Sequence, residues 1–233
     1  MLWPMQWRFH PTVGGTVFAL VVLAVLTGLG TWQMKRLAWK ESLLTAIDMR
    51  LKIAPTPLPA ELSDDGAWEY RRVTLTGVYL HDHEFKVGPR THNGQAGYHL
   101  ITPLRRAAGG IVMIDRGWID DAHLSQAERP AGLIQIEGVV TFPKPSRFTP
   151  MNDAGKNAWY WTDAPAMARA ADLGNAPPFV VTIASARAGV YPVGGKVELN
   201  IRNDHRAYMY FWYAMAALSQ IIFILAACRK KES

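Results

Sequence analysis

A single cysteine, Cys228, stands in 233 residues. A lone thiol excludes an intrachain disulfide and any thiolate pair for a metal, and its place in an apolar run makes it a small apolar filler. The chain also lacks a P-loop, a dinucleotide fingerprint, a nucleophile elbow, HExxH and CxxC. With those absent, no enzyme is expected. Asp64 with Asp65 and Asp120 with Asp121 sit among turn formers and read as solvated loop carboxylates, while Ser125 and Ser146 have no evident histidine partner. Internal repeats and low-complexity tracts are missing too.

Charge is the most informative absence. No charged side chain occurs in residues 12–32 or in 207–228, and each run reaches the roughly 20 residues a helix needs to cross a bilayer core. The first is followed by Trp32, Gln33, Met34, Lys35 and Arg36, with no small-x-small cleavage site, so it reads as a retained anchor. The second closes on Arg229, Lys230 and Lys231, a basic stop that marks the cytoplasmic end of a span. Two spans put both termini on one side. The expected order is therefore a cytoplasmic segment 1–11, a first span 12–32, an outer domain 33–206, a second span 207–228 and a cytoplasmic tail 229–233. The net charge of +6 is spread without a basic block, which suits the lipid bilayer and calls for no nucleic acid.

What the outer segment does contain is a change of period. Met34, Leu37, Ala38, Leu44, Ile47 and Leu51 continue a helical spacing, predicting an extension over 33–53. Three prolines within 54–60 then predict a stiff linker. Short β-branched or alternating segments follow, giving strands at 71–79, 84–87, 98–104, 111–115, 133–141, 158–161 and 179–183. One helix, capped by Asp163, is expected over 164–173 with Gly174 as its stop. The fold class is thus an α+β membrane protein: two transmembrane helices flanking an antiparallel β-rich, barrel- or sandwich-like domain with one short helix.

Candidate chemistry is sparse. His81 and His83 at i and i+2 would share a face on a strand and with His92 could ligate copper or zinc, but Asp82 lies between them and sulfur ligands are missing from this segment, so a polar turn between strands is the preferred reading. His99 and His123 give weaker signals. In Ile114–Ile119 a charged pair stands beside a glycine, and Arg116 and Trp118 read first as an internal ion pair and a loop anchor. Gly15 with Ala19 and Ala24 with Gly28 are small-xxx-small pairs for close helix contact. On the second span His205, Met209, Trp212 and Ala216 fall on one stripe, with Tyr208 beside it. An imidazole at the water boundary above aromatic walls and small residues suits a flat macrocycle such as haem. An interfacial aromatic belt that binds nothing is the alternative.

These residues resemble the surfeit locus protein 1 (Shy-type) family. The resemblance is carried by LGTWQMKRLAWK, with Gly30, Trp32, Gln33, Arg36 and Lys40, and by NDHRAYMYFW, whose Asn203 and His205 begin an Asn-x-His-x-x-Tyr pattern. VGPR, GYHLITPL, DRGWI and FTPMN lie between them in the family's order, so nearly the whole chain is covered. Arg206 and residues 209–211 depart from a more neutral family set that includes Ala and Thr. The resemblance implies a multi-pass protein of the bacterial inner membrane with cytoplasmic termini and a periplasmic domain. It implies an assembly factor for cytochrome oxidase that binds haem, of the a type, and delivers it to the oxidase's catalytic subunit. His205 would be the axial ligand of the iron, with Tyr208, Met209 and Trp212 around it. Gly30, Trp32, Gln33, Arg36, Arg116, Trp118 and Asn203 would serve interaction, and the partners would be that subunit, the haem a/o synthesis enzymes and lipid. His10 lies at the other end of the first span, across about 30 Å of hydrocarbon, and cannot share one haem with His205. The rival expectation is a scaffold or accessory subunit that steadies oxidase helices without haem.

Overall fold

The computed structural model describes residues 7–62, 65–184, 189–194 and 204–230. In chain order the elements are β1 (Trp7–Phe9), α1 (Val13–Lys52), β2 (Thr56–Pro57), the single turn α2 (Asp65–Trp68), β3 (Arg72–Tyr79) and β4 (Phe85–His92). Then come β5 (Gln95–Arg106), β6 (Ile111–Ile119), β7 (Ile134–Thr141), α3 (Ala164–Ala170), β8 (Val180–Ile183), α4 (His205–Ala227) and β9 (Cys228–Lys230). Contacts divide the chain into two units, Met1–Thr45 with Asn200–Ser233, and Ala46–Leu199.

In the first unit the charge-free run becomes the start of a helix of 40 residues. No proline occurs between Pro11 and Pro55 to interrupt it. Thr12 opens it by accepting from the Gly15 amide through Oγ1 at 3.2 Å, and the Thr27 and Thr31 hydroxyls donate back to the carbonyls of Leu23 and Thr27. Arg50 and Lys52 stand in its last turn, where cations oppose the negative helix end. Its partner α4 runs antiparallel: His205 meets Gln33, Tyr213 meets Thr31, and Gln220 meets Ala19, so rising numbers on one helix meet falling numbers on the other. At the far end β1 and β9 pair antiparallel, Trp7 with Lys230, Arg8 with Arg229 and Phe9 with Cys228. Both helices are long and apolar enough to cross a membrane. They expose Val13, Phe18, Leu20, Ile222 and Leu225 outward, a surface that favours lipid over water.

The second unit is a mixed sheet that closes on itself. Hydrogen-bonded neighbours run β3-β7-β8-β6-β5, and β5 pairs again with β3. Closure rests on the 12 residues of β5, whose first part pairs with β4 while Leu104, Arg105 and Arg106 pair with Tyr79, Val78 and Gly77. Alternate side chains enter different cores. Val112, Ile114, Leu104 and Val181 fill the inside with Val73 and Leu75, whereas Met113, Ile101 and Val180 face Met167 of α3 and Trp159. Met167 is fully buried, a burial worth roughly 1.5–3 kcal/mol.

Four expectations are corrected here. The sheet is mixed rather than antiparallel, because β2 joins β3 and β8 joins β6 in parallel; the long connection from β6 to β8 carries α3 across, as a parallel pair requires. The proline linker is itself an edge strand, with Leu58 N donating to Thr74 O at 2.9 Å. Residues 158–161 make only isolated bridges, since Asn152 Oδ1 takes the Tyr160 and Trp161 amides that a ladder would need. The helix of Ala164–Ala170 does start at Asp163, whose carboxylate accepts from Ala166 N at 3.0 Å. It stops before Leu173, because Asp172 adopts φ +53° and sends its amide to Arg169 O while Leu173 N reaches Ala168 O.

Candidate functional site

His205 is the first residue of α4. Its ring is half-buried, and Nδ1 lies 2.7 Å from Gln33 Oε1 on α1. The amide oxygen can only accept, so Nδ1–H is the donor of this pair. Gln33 itself is 9% exposed, and a side chain so enclosed holds the imidazole in one orientation. Among the described residues nothing hydrogen-bonds Nε2.

One turn further into the hairpin Gly30 faces Tyr213. A Cβ built at Gly30 would stand 2.8 Å from the ring, so only glycine lets the helices approach this closely. The Tyr213 hydroxyl is 3.1 Å from Thr31 Oγ1, which passes its own proton to Thr27 O at 2.8 Å. Gln220 Nε2 donates to Ala19 O at 3.1 Å. Outside the hairpin's apolar part, Arg206 pairs with Glu41 at 2.9 Å.

The predicted stripe is therefore shared. Met209 and Trp212 are half-buried, Ala216 is 3% exposed and Tyr208 is 53% exposed. The positions beside its lower part meet α1, Tyr213 at Gly30 and Gln220 at Ala19. Trp32 is 57% exposed, and Arg36 stacks its guanidinium over Trp39 at 4.2 Å. Asn203 lies outside the described residues. Of the small-residue pairs, Gly15 and Ala19 face α4 near Phe223 and Gln220, but Gly28 has nothing within 4 Å and Ala24 is exposed. His10 N donates to Ala227 O at 2.8 Å, 22 residues along α4 from His205 and so about 33 Å away at the helical rise.

Arg116 and Trp118 are each 4% exposed in the β unit, and the expectation of an interaction surface at them is corrected: both are internal anchors. Trp118 Nε1 donates to Arg90 O at 3.2 Å. Arg116 donates to Glu84 Oε1 at 3.0 Å and to the Glu128 carbonyl, with its plane 5.1 Å from the Tyr79 ring. Glu84 is a hub. It also accepts two bonds from Arg129 at 3.2 and 2.9 Å, and sits 3.1 Å from His81 Nδ1. Burial pulls the Arg116 pKa down and pushes the Tyr79 phenol up to about 12. Sequence reasoning missed this hub because Glu84, Arg116 and Arg129 are brought together only by the sheet.

His81 and His83 form a single 3-10 turn between two strands, the polar turn preferred from the sequence over a metal-binding strand face. His81 is held by Glu84 and by Pro130 O at 3.0 Å, and His92 packs on Trp118 at 5.2 Å. Among the described residues no three His, Cys, Asp or Glu side chains cluster.

The sequence profile of the SURF1 family matches residues 20–217. A SURF1-like protein of Monosiga brevicollis is 34% identical, covering 91% of this chain and 87% of its own. A SURF1-like protein of Drosophila melanogaster is 31% identical, covering 88% and 75%. The cytochrome oxidase assembly protein SHY1 of Saccharomyces cerevisiae is 30% identical over 94% of this chain and 75% of its own.

Proposed function

The chain belongs to the SURF1 family, and we propose that it is a noncatalytic assembly factor for a haem-copper terminal oxidase which takes up haem, of the a type, at His205 and passes it to the oxidase's catalytic subunit. The yeast relative's name supports the assembly role. The observation that supports the haem reading is the Gln33–His205 hydrogen bond, in which Nδ1 is engaged while Nε2 has no hydrogen bond among the described residues. Neutral imidazole is the form that binds haem iron. The haem is cargo, and one axial nitrogen at a half-buried position holds it weakly enough to release.

In this reading the two helices lie in the bacterial inner membrane with both ends in the cytoplasm, and the β unit is periplasmic. Pairing of β1 with β9 supports termini on one side. Met209 and Trp212 would flank the macrocycle and Tyr208 its rim, while Trp32 and Arg36 are exposed for contact with the catalytic subunit or with the haem a/o synthesis enzymes.

A second reading, a helix-steadying scaffold without haem, is favoured by the close Gly30–Tyr213 contact and by the exposed Tyr208, Tyr210 and Phe211 on α4. An absorption spectrum of the detergent-purified protein, coexpressed with haem synthesis, separates the two. The carrier shows a haem band that His205→Ala removes while circular dichroism is unchanged. A colourless wild type that still copurifies with oxidase subunits would mean a scaffold.

A further inference from the structure

The charge-free run of α1 ends at Trp32, and the next cations are Lys35 and Arg36. On this helix Trp32 lies three and four residues before the pair and Trp39 lies four and three after it, so all four share one face. Each is exposed, the indoles by 57% and 52%. Gln33 and Leu37, on another face, are buried. Depth follows from the helical rise. Gln33 meets His205, the first residue of α4, so both helices leave their apolar parts at this level. Lys35 and Arg36 stand about 5 Å beyond Trp32 along the axis, and the polar layer outside a bilayer's hydrocarbon core is roughly 5–8 Å thick. Tryptophan at both edges of such a layer suits an amphipathic indole.

The two cations have no acid of their own. Among the described residues neither Lys35 nor Arg36 makes a hydrogen bond or an ion pair, and Arg36 only lays its guanidinium over Trp39 at 4.2 Å. No acidic residue precedes Glu41, and Glu41 is taken by Arg206 at 2.9 Å. Stacking on the indole fixes the guanidinium plane and leaves its N–H edge for an oxyanion. At this depth the oxyanion on offer is the phosphate of a lipid headgroup. Two adjacent cations complement that phosphate best when the headgroup brings no ammonium to oppose them.

We propose that the face formed by Trp32, Lys35, Arg36 and Trp39 is a binding site for an anionic phospholipid, its phosphodiester received by Lys35 and Arg36 between the two indoles. The inference rests on the reading that the helices cross a bilayer. The lipid holds this face while no protein partner is docked there.

The test is native mass spectrometry of the full chain released from detergent micelles, with phosphatidylglycerol or phosphatidylcholine of identical acyl chains. Wild type is expected to retain phosphatidylglycerol at least about fivefold more than phosphatidylcholine. Lys35→Gln with Arg36→Gln is expected to bring that ratio below about twofold, whereas Arg229→Gln with Lys230→Gln, at the far end of the helix pair, leaves it unchanged. Equal retention of the two lipids by wild type, or an unchanged ratio in the Lys35→Gln, Arg36→Gln protein, overturns the proposal. Equal retention combined with oxidase subunits that copurify with wild type and are lost from that variant also overturns it and gives the face to a protein. Carbonate washing of the expressing membranes separates this inference from the reading beneath it: both proteins stay in the pellet if the helices span, and release of wild type overturns the membrane reading itself.

Discussion

Gln33 and His205, 172 positions apart, are joined by a hydrogen bond of 2.7 Å that links the first helix to the first residue of the second. The bond engages Nδ1 of the imidazole with the side chain of the other helix. It also makes the two halves of one constellation out of two segments that the sequence keeps at opposite ends.

Loss of the acceptor should therefore act at a distance on the nitrogen proposed to hold haem iron. Gln33→Ala is expected to weaken haem retention about 10- to 100-fold, the usual effect of removing a group that orients a metal-bound histidine, while Gln33→Glu retains it. Haem titration followed by absorbance measures both. Equal affinity in Gln33→Ala and wild type would remove Gln33 from the site.

Close approach at Gly30 predicts a steric effect of a different kind. Gly30→Ala places a methyl 2.8 Å from the Tyr213 ring and is expected to cost about 1–3 kcal/mol in the helix pair. Gly28→Ala, with open space around it, is the control and should be silent. Thermal unfolding in detergent, with cysteine cross-linking between the helices, reports the difference.

Glu84 holds two guanidinium groups and a histidine ring. Glu84→Ala leaves Arg116 buried without its carboxylate and is expected to destabilise the β unit by about 3–5 kcal/mol. Arg129→Ala, whose side chain is 37% exposed, should cost about 1 kcal/mol or less. Chemical denaturation of the two variants tests the ranking.

Alkaline pH offers a fourth measurement. The Tyr79 phenol is raised from 10.0 to about 12 in the folded protein, so between those values the folded state holds a proton that the unfolded state has lost. Its contribution is complete below pH 10 and is lost as pH rises toward 12, with a slope of up to about 1.4 kcal/mol per pH unit. Tyr79→Phe should flatten that fall. Denaturation midpoints at pH 9 and pH 11 decide it.

Much of this architecture was legible because charge and period are local. The two charge-free runs, the cap at Asp163 and the strands around 71–79 and 133–141 are visible in neighbouring residues, and the structure places α1, α4, α3, β3 and β7 there. Pairing direction was not legible. Nothing around Val180 says that it will lie parallel to Met113, because that depends on how a connection of sixty residues folds back. The same holds for the site. His205 was singled out by its place at the entrance to an apolar run and Gln33 by the family resemblance, but their hydrogen bond arises only when the helices pack. The stripe along α4 misled in part, since helical spacing reveals which residues share a face and is silent on what covers it: Gly30 and Ala19 do so at Tyr213 and Gln220. Glu84 drew no attention as a lone carboxylate at the start of a strand.

The seam of the barrel has a bearing on biosynthesis. β8 alone bridges β6 and β7, and it is the last of the sheet's strands to leave the ribosome. Until residues 180–183 emerge, the edges of β6 and β7 that β8 joins have no mate, and the second apolar helix begins only at His205. The nascent domain is therefore obliged to wait for β8 and can seal itself only shortly before the second apolar helix is made.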